Sequence, residues 1–195
     1  MRAAFTRETP DVRRLALVSA AERVLARDGV AGTSVRSICA EAGVSPGLLR
    51  HYFDGVQALV AEAYDAVGRR IDTALEAAVD AAGTVPRARL TAYLTASFAP
   101  PVLDPDLLAT WIAFWSLVKT DPAIGAIHAA SYGAYRARLE QLLAECGAPQ
   151  TRLAAVALTA VVDGLWLELC LDATAFTSEE ATLIAQRVLD GWLTA

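Results

Sequence analysis

The sequence is poor in the residues on which catalytic and metal-binding sites depend. Its 195 residues include two histidines and three cysteines, and Cys39, Cys146 and Cys170 show no Cys-x-x-Cys spacing. Neither a carboxylate pair at catalytic spacing nor a glycine-rich phosphate loop is recognisable. These absences argue against an enzyme and indicate no catalytic residues, no metal site and no cofactor. Three dispersed cysteines favour a reduced cytoplasmic protein with inert buried thiols, and a redox sensor is the alternative.

The chain also lacks an evident export or membrane signal. Residues 1–9 contain no apolar core of the kind that a signal peptide requires. The most apolar run, residues 153–171, is almost long enough to span a bilayer, but it contains Asp163 and Glu168. An acid in the middle of a membrane costs roughly 2.5–3.5 kcal/mol. We therefore expect this run to be a helix buried in protein, and we expect no contact with a membrane.

Basic residues are scarce and unevenly distributed. The net charge is −5, and all basic residues except Lys119 are arginines. Residues 1–70 contain ten arginines and eight acids, whereas residues 71–195 contain seven basic and fourteen acidic residues. The N-terminal part is therefore suited to approach phosphates, while the remainder would be repelled by them.

Prolines and glycines divide the chain into segments of helical periodicity, and no strand pattern interrupts them. Hydrophobic residues make up 55% of the chain, which is enough for a buried core. We predict an all-α protein of about nine helices. Residues 11–70 are expected to form a three-helix domain with a helix-turn-helix, and residues 71–195 a helical ligand-binding and dimerisation bundle.

Capping residues predict where the individual helices begin and end. Thr9 predicts the start of the first helix and Gly29 its end, while Asp54 predicts the start of a long fourth helix that reaches residue 82. The second helix is expected after Thr33 and the third after Ser45. The later helices are expected at residues 86–98, 105–120, 122–146, 149–171 and 178–193.

Residues 33–53 have the layout of a DNA-binding motif. A capped helix, a glycine turn at Gly43 and a second capped helix of two turns follow one another. In such a motif the second helix enters the major groove while the first crosses the backbone. Leu49 and Phe53, four residues apart, are expected to pack inward. A helical hairpin without a nucleic-acid role has the same periodicity, and since Arg50 is the one arginine of the short helix, the pattern alone leaves both interpretations open.

The run A-G-V-S-x-G-x-L-x-x-Y-F at residues 42–53 resembles the signature of TetR-family repressors, and it lies at a similar distance from the N-terminus. The resemblance covers about residues 11–70. It implies a homodimer on double-stranded DNA, with recognition helices about 34–36 Å apart on a palindromic operator. Carried over by position, it implies DNA contacts by Thr33, Ser34, Ser45, Pro46, Gly47, Leu48, Arg50, His51 and Tyr52.

Two positions depart from the family pattern. Many members carry tyrosine where this chain has Arg50, and lysine where it has Val56. Loss of that lysine removes a phosphate contact, and Arg50 is able to supply another. The affinity and sequence preference of other members are therefore not transferable to this chain.

Two aromatic segments stand out after residue 71, at residues 111–115 and 163–168. Trp111 and Trp115 share one helix face, with Phe114 beside them. One interpretation is a stripe of core side chains, and the other is a cage for a cationic ligand, in which Asp163 or Glu168 supplies the opposing charge. A carboxylate in an apolar helix needs a partner, which is a ligand, a neighbouring helix end or a dimer seam.

The same two segments resemble the C-terminal domain of choline-sensing BetI-type repressors, in which W-x-A-F-W and D-G-L-W-L motifs recur. The resemblance implies a small-molecule effector, a quaternary amine such as choline. The candidate ligand-binding residues are Trp111, Phe114, Trp115, Asp163 and Trp166. The last two helices are expected to form a four-helix dimer interface, because residues 153–171 are apolar nearly all round. Burial of this run in the monomer core is the alternative.

One histidine lies in the body of the protein. His128 is near Tyr132 and Tyr135 on a predicted helix. It either lines the ligand cavity or is exposed to solvent, and exposure is the simpler expectation.

Together these features predict a cytoplasmic, ligand-responsive transcriptional regulator, namely a repressor that a small molecule releases from its operator. The ligand is expected to move the long fourth helix and so to change the spacing of the two recognition helices. A helical adaptor that binds protein without specific DNA binding is the alternative.

Overall fold

The computed structural model describes residues 9–194, so the expectation that residues 1–8 contain no export signal lies outside the described residues. Within this range the chain forms nine α-helices, one short 3-10 helix and no β-strand, which confirms the all-α prediction. The α-helices are α1 (Pro10–Gly32), α2 (Val35–Ala42), α3 (Pro46–Tyr52), α4 (Val56–Ala81), α5 (Pro86–Thr95), α6 (Pro105–Leu117), α7 (Pro122–Glu145), α8 (Thr151–Leu171) and α9 (Ser178–Thr194).

Three capped helices form the N-terminal head. Thr9 and Ser45 cap α1 and α3 as predicted, and a proline follows each cap. Gly29 has φ 63° and ψ −170°, so the helical backbone is interrupted there as predicted, and one short turn continues α1 to Gly32 beyond this kink. Helix α2 begins one residue later than predicted. Ser34 is its cap, while the Thr33 hydroxyl donates a hydrogen bond back to the Gly29 carbonyl.

The start of α4 also differs from the prediction. Gly55, and not Asp54, is the N-cap residue, and no side chain caps the helix. The Gly55 backbone has φ 107° and ψ −179°, a conformation that residues with a Cβ atom rarely adopt. The tight connection between α3 and α4 therefore requires glycine at this position, and Asp54 stays exposed.

Helix α4 is shared by the head and the body. It is 26 residues long and packs against α1 of the head and against α5 and α7 of the body. Helix α1 also packs against α6, so two routes connect the head with the body.

The predicted fifth helix is divided, because the chain tightens after Thr95 into a 3-10 turn at Ala96–Phe98. Helix α8 begins at Thr151, two residues later than predicted.

Helix α8 is only partly covered by its own chain. By length and composition it is able to cross a membrane, and about a third of its most apolar stretch is buried. Its exposed apolar residues recur at helical spacing along one face: Leu153, Val156, Leu167 and Leu171. The neighbouring α9 exposes Leu183 and Ile184. Burial in the monomer core alone was therefore the wrong alternative for this helix, because its apolar face lies open.

The three cysteines are free and differ in burial. Cys39 is buried, whereas Cys146 and Cys170 are partly exposed, so the expectation of buried thiols is correct for Cys39 alone. Burial raises the pKa of the Cys39 and Cys146 thiols. A raised pKa lowers the thiolate fraction, which argues against redox sensing by these two residues.

Candidate functional site: the reading head and the ligand cavity

Helix α3 buries one face and presents the other to solvent. Leu49 is fully buried and Phe53 is 5% exposed, which confirms that both pack inward. The predicted DNA-contacting residues differ in exposure. Ser34, Ser45, Pro46, Gly47, Arg50 and His51 are exposed, whereas Thr33, Leu48 and Tyr52 are half-buried. An open polar surface therefore extends from the start of α2 along α3.

Side-chain caps define the starts of α2 and α3. The Ser34 hydroxyl accepts a hydrogen bond from the Ser37 amide at 3.1 Å, and the Ser45 hydroxyl accepts one from the Leu48 amide at 3.3 Å. The other first-turn amides of each helix have no intrahelical acceptor. Such amides are suited to bind phosphate oxygens.

Ion pairs fix α1 against its neighbours in the head. The Arg14 guanidinium binds the Glu62 carboxylate of α4 and lies 4.7 Å from the centre of the Phe53 ring. Arg23 and Arg27 of α1 both bind Glu41 of α2, at 2.7 and 2.9 Å. These contacts position the reading helices relative to α1 and α4.

Two arginines of the head have no such partner. Arg36 and Arg50 are exposed, and neither forms an ion pair within the part of the chain that the structure describes. Arg36 lies in the first turn of α2, where a cation opposes the helix dipole and does not stabilise its own helix. Sequence reasoning missed Arg36, although its unfavourable position in a capped helix was a readable signal.

The body encloses a small cavity between α4, α6, α7 and α8. Its volume is about 60 Å³. Three of the five predicted ligand residues, Trp111, Asp163 and Trp166, line it. The other lining residues are Gly68, Ile71, Asp72, Leu75, Ser97, Ser131, Tyr132, Tyr135 and Val162.

Tyr132 of α7 connects the two aromatic segments. Its hydroxyl accepts hydrogen bonds from the indole N–H groups of Trp111, at 3.4 Å, and of Trp115, at 3.1 Å. It donates to Asp163 Oδ1 at 3.0 Å. The segments around residues 111–115 and 163–168 therefore converge on one side chain. Sequence reasoning noted Tyr132 only as a neighbour of His128, because α7 carries no motif.

The other aromatic residues have structural partners. Phe114 is fully buried and stacks on Tyr64 with ring centres 4.4 Å apart, so it belongs to the core and does not line the cavity. The Trp166 indole donates a hydrogen bond to the Ser97 carbonyl at 2.8 Å. The two interpretations of the aromatic segments, a core stripe and a cage, thus apply to different residues.

Asp163 is the acid that the cavity perturbs most. Burial raises the pKa of Asp163 to about 6, while the hydrogen bond from Tyr132 and the charge of Arg136 act in the opposite direction. Among residues 9–194 no cation forms an ion pair with this carboxylate. A buried carboxylate that lacks a cationic partner is suited to bind a cationic ligand.

One further polar group of the cavity is incompletely satisfied. The Tyr135 hydroxyl is buried and makes no hydrogen bond of normal geometry, although the Ser97 side chain lies close enough to influence the pKa of Tyr135. A buried hydroxyl left in this state indicates a site that a ligand or water completes. Asp72 of α4 also lines the cavity but is exposed to solvent, and partial desolvation together with the charge of Glu76 raises the pKa of Asp72.

Tyr132 and Asp163 also border a wider, open pocket of about 670 Å³ on the outer side. Trp115, Lys119, His128 and Arg136 line this pocket, together with Val118, Val156, Thr159 and Ala160. His128 is half-buried, and its Nδ1 atom lies 3.0 Å from the Tyr64 hydroxyl. The simpler expectation of an exposed His128 was therefore wrong. Burial lowers the pKa of His128, and the charges of Arg136 and Lys119 lower it further.

Comparison with known proteins identifies both halves of the chain. Residues 17–63 match the family of bacterial regulatory proteins named after TetR, and residues 86–194 match the C-terminal domain of BetI-type transcriptional repressors. The chain belongs to the TetR family. Its C-terminal domain is of the BetI type, as the tryptophan-containing segments had indicated.

Full-length relatives agree with this assignment to the TetR family. The HTH-type transcriptional regulator BetI of Paraburkholderia phymatum is 30% identical over 181 residues, which cover 92% of each chain. BetI of Vibrio vulnificus is 30% identical over 190 residues, covering 95% of this chain and 94% of the relative. These relatives regulate transcription, which confirms that the TetR-family chain is not an enzyme.

Solved structures share the fold over nearly the whole chain. A transcriptional regulator of Pseudomonas aeruginosa PAO1 is 44% identical, with a TM-score of 0.88 and coverage of 99% of this chain and 96% of that one. A regulator of Saccharomonospora viridis, solved in complex with choline, is 19% identical, with a TM-score of 0.79 and coverage of 92% and 96%. At this lower identity the likeness concerns the TetR-family fold alone.

Proposed function

We propose that this TetR-family protein is a cytoplasmic homodimeric repressor that binds a palindromic operator and is released from it by a small cationic ligand. The observation that supports the ligand most directly is the largely buried Asp163 carboxylate, which lines an aromatic cavity and forms no ion pair with a described residue. A functional division at residues 11–70 and 71–195 falls inside α4, so that one helix belongs to both parts.

The proposed DNA-reading surface comprises α3 and the starts of α2 and α3. Arg50 and Arg36 supply the unpaired positive charges, which fits contact with phosphates or base edges. Gly47 is exposed, and a Cβ atom added there would meet only the Ser45 hydroxyl, at 3.8 Å. Packing within the chain therefore does not require glycine at this position, whereas close approach of DNA to the backbone does. The proposed contacts are Thr33, Ser34, Ser45, Pro46, Gly47, Leu48, Arg50, His51 and Tyr52, with Arg36 added.

The proposed effector carries a quaternary or protonated amine. Tryptophan faces attract cations by about 0.5–2 kcal/mol, and more where the site is desolvated. Trp111 and Trp166 line the cavity with their rings at 75° to each other, and Asp163 supplies the opposing charge. The structural neighbour from Saccharomonospora viridis was solved with choline, which makes choline the first ligand to test.

The proposed dimer joins the exposed faces of α8 and α9. Leu153 and Leu171 mark the two ends of the α8 stripe, and small residues occupy its middle. Gly164 has open space beside it, so a partner helix is able to approach closely there. Two helices from each protomer would form a four-helix interface about a two-fold axis and remove this apolar face from water.

The proposed coupling runs through α4. Tyr64 of α4 contacts the Trp111 ring edge-on at 5.1 Å, and Glu62, two residues earlier, holds Arg14 of the head. A ligand that displaces Trp111 would therefore shift the helix that carries the head. The ligand has to bind the DNA-released state more tightly, because equal affinity for both states would change nothing.

Two measurements test this proposal. Calorimetric titration with choline is expected to give saturable binding to the wild type and none to Asp163→Asn. In an anisotropy assay on DNA from upstream of the gene, choline is expected to weaken DNA binding by the wild type only. Arg50→Ala is expected to lose DNA affinity and keep choline binding. The alternative of a protein-binding adaptor would be favoured if the wild type does not bind this DNA and Arg50→Ala binds the same cellular proteins as the wild type.

A further inference from the structure

The inner cavity and the outer pocket share a wall but have opposite charge. Tyr132 and Asp163 border both spaces, so the two spaces are neighbours, and a ligand that reaches from one into the other has to pass these side chains. Asp72 and Asp163 are the charged residues of the inner cavity. Lys119 and Arg136 line the outer pocket, in addition to Asp163 and His128. The site is therefore divided into an acidic, aromatic part and a basic part.

The inner cavity is too small for a whole effector. Its volume of about 60 Å³ is well below the roughly 150 Å³ of a protein cavity that binds benzene. Such a space accommodates part of an ammonium head group. The remainder of the ligand has to extend past Tyr132 into the outer pocket of about 670 Å³.

The two cations of the outer pocket line the same space and form no ion pair within the described part of the chain. Eight arginines bind carboxylates, whereas Lys119 and Arg136 bind none among the described residues. The Arg136 guanidinium lies 5.9 Å from the centre of the Tyr132 ring, which places it beside the inner cavity. Asp163 is the one carboxylate among the residues that line this pocket, so the two cations leave the pocket with an excess of positive charge that an anion would neutralise.

We propose that the effector is a zwitterion, with an ammonium group in the inner cavity and a carboxylate or phosphate group between Lys119 and Arg136. This inference rests on the proposed ligand-responsive function and specifies its ligand class. The inner acids and tryptophans bind the cationic end, and the two outer cations bind the anionic end. Charge attraction and aromatic contacts at the cationic end, together with charge-assisted hydrogen bonds at the anionic end, then select the zwitterion over a simple cation.

The alternative role for Lys119 and Arg136 is to form ion pairs across the proposed dimer interface. Val156 and Ala160 border the outer pocket and belong to the exposed face of α8, where the partner protomer is proposed to lie. Lys119 and Arg136 would then bind carboxylates of a second copy of the chain. In that case their removal would weaken the dimer and leave ligand selectivity unchanged.

The experiment compares two ligands that share a trimethylammonium group. Choline ends in a hydroxyl, and phosphocholine carries a phosphate in its place. Both are titrated calorimetrically into the full-length wild type, Lys119→Met, Arg136→Gln and the control Arg152→Gln, with inorganic phosphate as a third ligand. Arg152 is exposed on α8 and lines neither space, so its substitution removes one charge without touching the site. Sedimentation of each variant reports the dimer.

The wild type is expected to bind phosphocholine at least about tenfold more tightly than choline, and to bind inorganic phosphate weakly. Lys119→Met and Arg136→Gln should each lose most of the preference for phosphocholine, while their choline affinity stays within about twofold of the wild type. Both variants should sediment like the wild type. The control Arg152→Gln should behave like the wild type in all these measurements. Choline binding without a preference for phosphocholine would overturn the zwitterion and leave the cationic effector intact. Binding of neither compound would overturn both proposals, and weaker dimers with unchanged preference would assign the two cations to the interface.

Discussion

Replacing Asp163 by asparagine should make the protein more stable and unresponsive to ligand. The physical reason is the cost of keeping a buried carboxylate ionised. Burial raises the pKa of Asp163 from 3.8 to about 6, and at about 1.4 kcal/mol for each pKa unit this amounts to about 3 kcal/mol at pH 7. The asparagine Oδ1 atom still accepts the Tyr132 hydrogen bond, but its amide group needs a partner. We therefore expect a net gain of about 1–3 kcal/mol in the free energy of unfolding.

The pH dependence of this gain follows from the direction of the pKa shift. Because the folded-state pKa of Asp163 lies above its unfolded value, the folded wild type binds more protons between these two values and gains stability as the pH falls through 6. The cost of the ionised carboxylate falls from about 3 kcal/mol at pH 7 to about half of that at pH 5, so the difference between Asp163→Asn and the wild type should shrink by about 1.3 kcal/mol over this range.

Urea unfolding at pH 7 and pH 5 measures this difference, and thermal unfolding at pH 7 should place the Tm of the variant about 2–10 °C higher. Asp172→Asn is the matched control at the end of α8. Asp172 is exposed, and hydrogen bonds with Thr174 lower its pKa, so its removal should not stabilise the protein. If Asp163→Asn is less stable than the wild type, the Asp163 carboxylate does not destabilise the fold, and if the variant still binds choline, this carboxylate does not hold the ligand.

Three further predictions concern the ligand site, the reading head and the dimer. Choline affinity should fall about tenfold from pH 7 to pH 5, since Asp163 with a pKa of about 6 becomes protonated; an unchanged affinity in calorimetry at both pH values would contradict a role for this carboxylate. Gly47→Ala should leave the free energy of unfolding unchanged or raise it by up to about 1 kcal/mol. The same variant should bind the operator about tenfold or more weakly in an anisotropy titration. Normal DNA affinity would show that DNA does not approach the backbone closely at Gly47. Leu167→Glu should shift the protein to a monomer in sedimentation equilibrium, because Leu167 lies on the exposed face of α8. The control Val85→Glu should remain a dimer, since Val85 is 60% exposed on a different part of the surface. If both variants are dimers, the interface lies on another surface.

Local chemistry made most of the fold predictable. Thr9 and Ser45, each followed by proline, have strong capping preferences that act through their own neighbours, and the structure confirms them. Gly55 was missed because Asp54 is the better capping residue by type, while the geometry of the turn between α3 and α4 required a glycine. Local propensity and tertiary geometry thus compete at that position, and geometry decides.

The ligand cavity was predictable only in part. Trp111 and Asp163 stand in recognisable segments, but Tyr132, which binds both, lies on a helix without a motif. Phe114 has the same residue type and spacing as a ligand-contacting aromatic and yet packs on Tyr64, because helix periodicity does not distinguish a cavity wall from the core. The opposite charges of the two adjoining spaces depend on how α4, α6, α7 and α8 meet, and no segment of the sequence contains that information.

A salt-dependent titration tests whether α2 and α3 read DNA. The wild type is titrated into labelled DNA from upstream of its gene and into a random sequence of equal length, at several salt concentrations. We predict that the upstream DNA binds at least about 10³-fold more tightly. The logarithm of its affinity should fall with the logarithm of salt concentration with a slope of about −3 to −4, as expected if Arg36 and Arg50 of both protomers contact phosphates. Equal and weak binding to both DNAs, across the promoters that neighbour the gene, would contradict the account.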